Sequence, residues 1–156
     1  MHLTPEQKAF YDENGYVLVP GLFTPEEAAA YRAEVHAIDA RQGETNATWA
    51  SVKGDTAIAH SHDVHFKSGA FTRLLTDARL TGIAQDIIGP NVQLHHTKMF
   101  IKPPERGSPF PMHQDWAFYK HDDNRFVDVL VHLDDTCHEN GEIRFLSGSH
   151  KFGALE

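Results

Sequence analysis

The chain has 156 residues, with 14 basic and 22 acidic side chains and a formal net charge of −8. This length predicts one domain over residues 1–156, and the acidic balance argues against a nucleic-acid partner, which would need a basic surface. No apolar run approaches the roughly 20 residues of a membrane-spanning helix, and no secretory signal is visible. The single cysteine, Cys137, excludes an internal disulfide framework. We therefore expect a protein of a reducing compartment, the cytoplasm, with no membrane or nucleic-acid partner.

The first part of the chain is predicted to be helical. Residues 4–7 (Thr-Pro-Glu-Gln) form a capping box with proline at the first helical position, and this helix is expected to end at Gly15. A short strand over residues 16–19 is expected to follow. Residues 24–27 (Thr-Pro-Glu-Glu) repeat the same start pattern and predict a longer helix to about Arg41.

The middle of the chain combines a polar segment with a third helical stretch. Residues 43–67 are polar and predicted to be irregular, and they carry His60, His62 and His65. From about residue 70 to 88, apolar residues recur at helical spacing, with a break expected at Gly82.

After residue 91 the pattern changes to that of strands. Residues 92–101 are rich in β-forming side chains, and a loop over residues 105–111 follows. Residues 126–133 alternate between a purely apolar face and a mixed face, which predicts the clearest strand. A turn at residues 139–142 leads to a further strand over 143–146. Helices followed by antiparallel-type strands favour an α+β chain with a mainly β core, a β-sandwich or jelly roll.

The tripeptide His113-Gln114-Asp115 carries the most chemical information. Residues i and i+2 of a strand point the same way, so the imidazole and the carboxylate would project together. Two of the three protein ligands of a mononuclear non-haem iron site can be supplied in this way. A hydrogen-bonded pair on a strand is the ordinary alternative. Trp116 and Phe118 follow and could line a substrate pocket, although packing is the more common role of such residues.

Several motifs, taken in order, resemble the phytanoyl-CoA dioxygenase-like family of iron(II)/2-oxoglutarate-dependent oxygenases. They are Phe10 with Gly15-Tyr16-Val17-Leu18-Val19-Pro20-Gly21-Leu22-Phe23, His96-Thr97-Lys98 with Lys102-Pro103-Pro104, His113-Gln114-Asp115-Trp116, Leu133-Asp134-Asp135 with Glu139-Asn140-Gly141, and Gly148-Ser149-His150-Lys151.

The resemblance implies a cupin-like double-stranded β-helix with N-terminal helices packed outside it. It implies Fe(II) held by His113 and Asp115, with 2-oxoglutarate as cosubstrate. Lys98 falls where the family lines the 2-oxoglutarate site, and Leu130 falls where many members have a tryptophan beside it. The carboxylate of Asp115 favours hydroxylation over halogenation, because halogenating relatives carry a small residue there. The implied reaction hydroxylates a small or medium organic molecule while 2-oxoglutarate is decarboxylated to succinate.

The family's second histidine ligand, its 2-oxoglutarate-binding arginine and its last strands lie beyond the Gly-Ser-His segment and have no counterpart before Glu156. We expect a chain truncated at its C-terminus. The alternatives are a homodimer that exchanges strands, or a short protein that uses another histidine, with His150 the nearest. A catalytically incomplete β-sandwich that serves as a binding module is the alternative function. A weaker alternative is a zinc site formed by His60, His62 and His65.

Overall fold

The computed structural model describes residues 1–42, 59–102, 110–119, 122–123 and 125–155. Within these ranges the chain forms helices, one antiparallel pair of strands and short 3-10 helices. In chain order these are α1 (Pro5–Asn14), α2 (Pro25–Gln42), β1 (Ala59–His62), α3 (Val64–Lys67), α4 (Gly69–Leu75), α5 (Ala78–Ile88), β2 (Lys98–Ile101), and the 3-10 helices Asp115–Ala117, His138–Asn140 and Ser149–Phe152. None of the described helices is long and apolar enough to cross a membrane.

The two predicted helix starts are confirmed. The Thr4 hydroxyl accepts a hydrogen bond from the Gln7 amide at 3.2 Å, and the Gln7 side chain accepts one from the Thr4 amide at 2.9 Å. Thr24 and Glu27 repeat this arrangement at 3.2 and 2.8 Å. Gly15 ends α1 with a φ of 82°, a left-handed conformation that glycine adopts without strain. Local hydrogen bonding therefore sets these helix ends, as the sequence predicts.

The third helical stretch is divided in a different place from the one expected. The expected break at Gly82 is wrong: Gly82 is buried inside α5, where a Cβ atom would lie 2.2 Å from the Met1 carbonyl oxygen. The chain breaks instead between α4 and α5, where the Asp77 carboxylate caps α5 by accepting from the Arg79 amide at 2.8 Å. The N-terminal backbone crosses the helix at this point, so position 82 has no room for a side chain.

The sheet has one buried and one polar face, and the predicted irregular segment contains its first strand. Ala59 pairs with Ile101 and His62 pairs with Lys98. Ser61 and Met99 are paired and both buried. Since side chains alternate along a strand, the opposite face carries His60, His62, Lys98 and Phe100. The buried face packs on a core formed by the residues Val35, Ile38, Val64, Phe71, Leu74 and Met99.

Most of the predicted strands do not form in the described part of the chain. Residues 16–19, 126–133 and 143–146 are not strands, and only Lys98–Ile101 of the run over 92–101 is one. Val131 and Leu133 still pack against the core, as the alternating pattern predicts. Alternation reports which side of a segment meets apolar material, whereas a strand also needs a neighbour for its backbone hydrogen bonds. The described fold is therefore α+β with an open two-stranded sheet, in place of the expected mainly β core.

Candidate metal centre

The site begins with the loop that carries the His-x-Asp tripeptide. His113 lies in irregular backbone, and Asp115 opens the 3-10 helix Asp115–Ala117. The expected strand geometry is wrong, yet the two side chains still meet, because the 3-10 turn brings the carboxylate back toward the ring. His113 Nε2 lies 2.8 Å from Asp115 Oδ1. The two side chains are 34% and 31% exposed, so the pair is open to solvent on one side.

The orientation of the imidazole is set by the backbone before it. His113 Nδ1 lies 2.8 Å from the Pro111 carbonyl oxygen. A carbonyl only accepts hydrogen bonds, so Nδ1 carries a proton, and Nε2 faces the Asp115 carboxylate. Two acceptor atoms at 2.8 Å repel each other unless a proton or a cation lies between them. A hydrogen bond from Nδ1 to a carbonyl is also the usual way in which proteins orient a metal-binding histidine.

The spacing of the pair fits two adjacent ligands of one metal ion. Nitrogen and oxygen ligands lie about 2.0–2.2 Å from a divalent metal, so neighbouring corners of an octahedron are about 2.8–3.1 Å apart. The Nε2 to Oδ1 distance of 2.8 Å is at the short end of this range. Imidazole with carboxylate is the donor set of non-haem iron sites. Among the described residues, no group of three histidine, cysteine, aspartate or glutamate side chains is placed to hold a metal ion.

Aromatic rings flank the imidazole. The Phe110 and Phe118 ring centroids lie 4.7 and 5.6 Å from that of His113, both edge-on. Phe118, one of the two predicted substrate residues, is thus beside the pair and 62% exposed. Trp116, the other, is half-buried within the 3-10 helix. Phe110 was not predicted from the sequence to be a site residue. Its position directly before Pro111, close to the His-x-Asp tripeptide, could have indicated this role.

A second carboxyl group, Asp128, lies against Asp115. Burial of its carboxyl group, together with the negative charge of Asp115 and a hydrogen bond between the two side chains, raises the pKa of Asp128 to about 6. Lys98 and His113 act in the opposite direction. Asp128 as a whole is exposed to solvent. The sequence could have indicated that Asp128 lies at the site, because Asp128 shares the mixed face of residues 126–133 with Leu130.

Lys98 lies on the polar face of the sheet, near His113 and Asp115. These two candidate metal ligands are called the metal pair below. Its Nζ is 5.2 Å from the Phe100 ring centroid. Burial and then the charge of Lys98 lower the pKa of both His62 and His96, while the charge of Asp115 acts to raise that of His96. These mutual effects show that the polar face of the sheet adjoins the Asp115 side of the site. Leu130, the other predicted cofactor residue, is 45% exposed.

The remaining histidine candidates lie elsewhere. His150 donates from Nε2 to the Asp12 carbonyl oxygen of α1 at 3.1 Å, so it does not join His113 and Asp115. His65 is hydrogen-bonded to the Thr97 hydroxyl at 2.7 Å, while the rings of His60 and His62 lie edge to face at 5.2 Å. In the described ranges no three ligating side chains are placed to hold a metal ion, so the structure does not bring His60, His62 and His65 together as the zinc alternative requires.

Comparison with known protein families identifies the class of protein. The family model for phytanoyl-CoA dioxygenase matches residues 11–155, which is nearly the whole chain. The chain therefore belongs to the phytanoyl-CoA dioxygenase family, and the resemblance predicted from its motifs is confirmed.

The chain is also similar to individual members of this class of enzymes. The chain is 31% identical over 153 residues to a probable alpha-ketoglutarate-dependent hypophosphite dioxygenase of Stutzerimonas stutzeri, covering 94% of this chain and 53% of the relative. It is 28% identical to an ectoine dioxygenase of Nocardia farcinica, covering 94% and 51%. It is 26% identical to an L-proline trans-4-hydroxylase of Streptomyces griseoviridis, covering 97% and 57%. The chain thus spans about half the length of each of these relatives.

Proposed function

We propose that the protein is an iron(II)- and 2-oxoglutarate-dependent dioxygenase that hydroxylates a small organic substrate and converts 2-oxoglutarate to succinate and CO2. The observation that carries this proposal is the 2.8 Å separation of His113 Nε2 and Asp115 Oδ1, with the other ring nitrogen held by the Pro111 carbonyl. When bound, Fe(II) with 2-oxoglutarate would supply the oxidising chemistry. The chain itself supplies two adjacent ligands and one negative charge.

The surrounding side chains have separate tasks in this proposal. Lys98 brings a positive charge near the pair, which suits a carboxylate of 2-oxoglutarate, and Leu130 would contact the same cosubstrate from the mixed face of residues 126–133. Phe118, beside the imidazole, and Trp116, in the following turn, would contact the organic substrate. Aromatic rings around His113 also limit the access of water to the ligand atoms.

The substrate is expected to be small and polar. The names of three relatives refer to hypophosphite, ectoine and L-proline, all of which are small polar compounds. The partially exposed metal pair and the polar face of the sheet, with His62 and Lys98, offer hydrogen bonds and positive charge to such a molecule.

We further propose that residues 1–156 belong to one domain built on a cupin-like double-stranded β-helix. Family membership supports this fold. The placement of Val131 and Leu133 against the core, with the Asp128 carboxyl group next to Asp115, is the alternation expected of a strand in such a sheet. The single cysteine, Cys137, which is exposed and free, supports a cytoplasmic location.

Anaerobic calorimetry with Mn(II), with and without 2-oxoglutarate, tests the metal pair. Wild-type protein is expected to bind Mn(II), and His113→Ala and Asp115→Ala are expected to abolish measurable binding, because each removes one of two described ligands. His36→Ala and Asp122→Asn are matched controls, since both residues are exposed and lie outside the site. Unchanged Mn(II) affinity in the two site variants would refute the metal centre.

Turnover tests the second half of the proposal. With Fe(II), 2-oxoglutarate and O2, the wild-type protein is expected to form succinate, and the two site variants are not. Mn(II) binding without any succinate formation would contradict the dioxygenase and favour a catalytically incomplete binding module. That alternative has one observation in its favour: among the residues that the structure describes, no group of three histidine, cysteine, aspartate or glutamate side chains is placed to hold a metal ion.

A further inference from the structure

Gln114, the residue between the two proposed ligands, holds a distant part of the chain. Its Nε2 donates to the Gly153 carbonyl oxygen at 2.9 Å, and its Oε1 accepts from the Leu155 amide at 3.0 Å. One primary amide thus bonds to backbone groups 39 and 41 residues away. A paired donor and acceptor of this kind fixes both the position and the orientation of the amide plane.

The segment that Gln114 binds is itself attached to α1. We call residues 147–155 the α1-bound segment. Its Gly148 amide donates to the Asn14 carbonyl oxygen at 2.9 Å, and Lys151 Nζ lies 2.7 Å from Glu13 Oε1. His150 adds its hydrogen bond to the backbone of α1. The α1-bound segment therefore has one side on a regular helix and the other on the loop of the metal pair.

We propose that Gln114 is a positioning residue for the metal pair, connecting the His113–Asp115 loop to the α1-bound segment through its two amide hydrogen bonds. This inference rests on the proposed metal site. Neither bond touches a ligand atom, so Gln114 acts through the backbone that it shares with its two neighbours.

The physical reason lies in how the pair is built. The 2.8 Å contact joins side chains from two residues of a loop, one in irregular backbone and the other in a single 3-10 turn. The hydrogen bonds within that turn, such as Phe118 N to the Asp115 carbonyl at 2.9 Å, are local and do not attach the loop to the rest of the protein. Freeing Gln114 would let the ligand atoms sample a wider range of separations, and metal binding would then have to restrict them. Outer contacts that orient ligands change metal affinity by about 10–100-fold when removed.

Mn(II) binding to the full chain, measured by calorimetry and by electron paramagnetic resonance of the bound ion, tests this role. Gln114→Ala is expected to weaken Mn(II) binding about tenfold and to broaden the Mn(II) spectrum. Leu155→Pro removes the backbone N–H that donates to Gln114, together with the leucine side chain, and should give part of the same effect. The controls are Leu155→Ala, which keeps that amide, and Gln93→Ala, which changes an exposed glutamine elsewhere.

The double variant Gln114→Ala/Leu155→Pro separates positioning from general destabilisation. Because both changes break the same bond, the double variant should bind Mn(II) as Gln114→Ala does, with no further loss. Wild-type affinity and an unchanged spectrum in Gln114→Ala would overturn the inference, as would fully additive losses. If Gln114→Ala does not fold, a comparison of Mn(II) binding by Leu155→Pro and by Leu155→Ala tests the inference by itself. Absence of Mn(II) binding by the wild-type protein would instead remove the proposed metal centre.

Discussion

Gly15 lies where α1 meets the α1-bound segment, and replacing it by alanine tests that junction. Its φ is 82°, in the left-handed region. A Cβ atom there would lie 2.4 Å from His150 Nδ1 and 2.8 Å from His150 Cγ, closer than side-chain atoms tolerate. The ring would have to rotate away and give up its 3.1 Å hydrogen bond to the Asp12 carbonyl. Gly15→Ala should therefore destabilise the protein through both the backbone and the displaced ring.

The two contributions can be given magnitudes. Placing alanine in the left-handed region costs about 1 kcal/mol, and losing one hydrogen bond costs about 1 kcal/mol. We expect Gly15→Ala to lower the free energy of unfolding by about 2 kcal/mol. Gly21 is a matched control, because its φ is 70° and a methyl group added there would meet no atom within 4 Å beyond its chain neighbours. Gly21→Ala should cost the backbone contribution alone, about 1 kcal/mol.

Urea unfolding followed by circular dichroism measures these differences, with His150→Ala added to complete a double-mutant cycle. In the His150→Ala background no ring obstructs the new methyl group, so Gly15→Ala should cost only about 1 kcal/mol. Equal costs of Gly15→Ala in the two backgrounds, or equal costs of Gly15→Ala and Gly21→Ala, would refute the described contact between His150 and α1.

Three further predictions concern the core and two carboxyl groups. Ile38→Ala removes three carbon atoms from a side chain that is 1% exposed and should lower the free energy of unfolding by about 3–4 kcal/mol. The control Ile143→Ala changes a residue that is 47% exposed and should cost under about 1 kcal/mol. Similar losses in the two variants would contradict the described core. Asp77→Ala should be less stable than Asp77→Asn by about 1 kcal/mol, because asparagine keeps the helix cap. Hydrogen bonds from Arg79 lower the pKa of Asp77 to about 2. The free energy of unfolding of wild type should therefore exceed that of Asp77→Asn above pH 3.8, and this difference should vanish as the pH falls through about 2. For Asp128 the sign is reversed: its pKa is raised to about 6, so its stabilising effect is present below pH 3.8 and is lost as the pH rises through about 6. Melting temperatures of metal-free wild type and Asp128→Asn should therefore diverge over that window, and parallel curves would contradict the raised pKa.

Helix ends were the part of the fold that the sequence predicted best. The capping boxes at Thr4 and Thr24, and the end of α1 at Gly15, depend on hydrogen bonds within a few residues. Such bonds join residues that are close together in the sequence. The error at Gly82 has a tertiary cause, because the glycine makes room for the N-terminal backbone and does not end the helix.

Strands were predicted less well because a strand needs a partner. Residues 126–133 have the right alternation, and Val131 and Leu133 pack on the core, yet no ladder forms there in the described structure. In contrast, Ala59–His62 looked like a polar irregular segment and pairs with Lys98–Ile101. Which segments become neighbours is decided over distances of tens of residues, and the period of the pattern does not contain that information.

The chemical groups available for a metal centre can be read from the amino-acid sequence. His113 and Asp115 are two residues apart, so many backbone conformations keep their side chains close together. For this reason the two side chains meet as expected, although the strand predicted beneath them does not form. The surroundings of the pair depend on the folded chain: the Asp128 carboxyl, the aromatic rings that flank the imidazole, and the attachment of Gln114 to Gly153 and Leu155. Asp128, Gly153 and Leu155 are far from the pair in the sequence. Contacts between near neighbours follow from the geometry of the backbone, whereas contacts between distant residues form only when burial of the core brings their segments together.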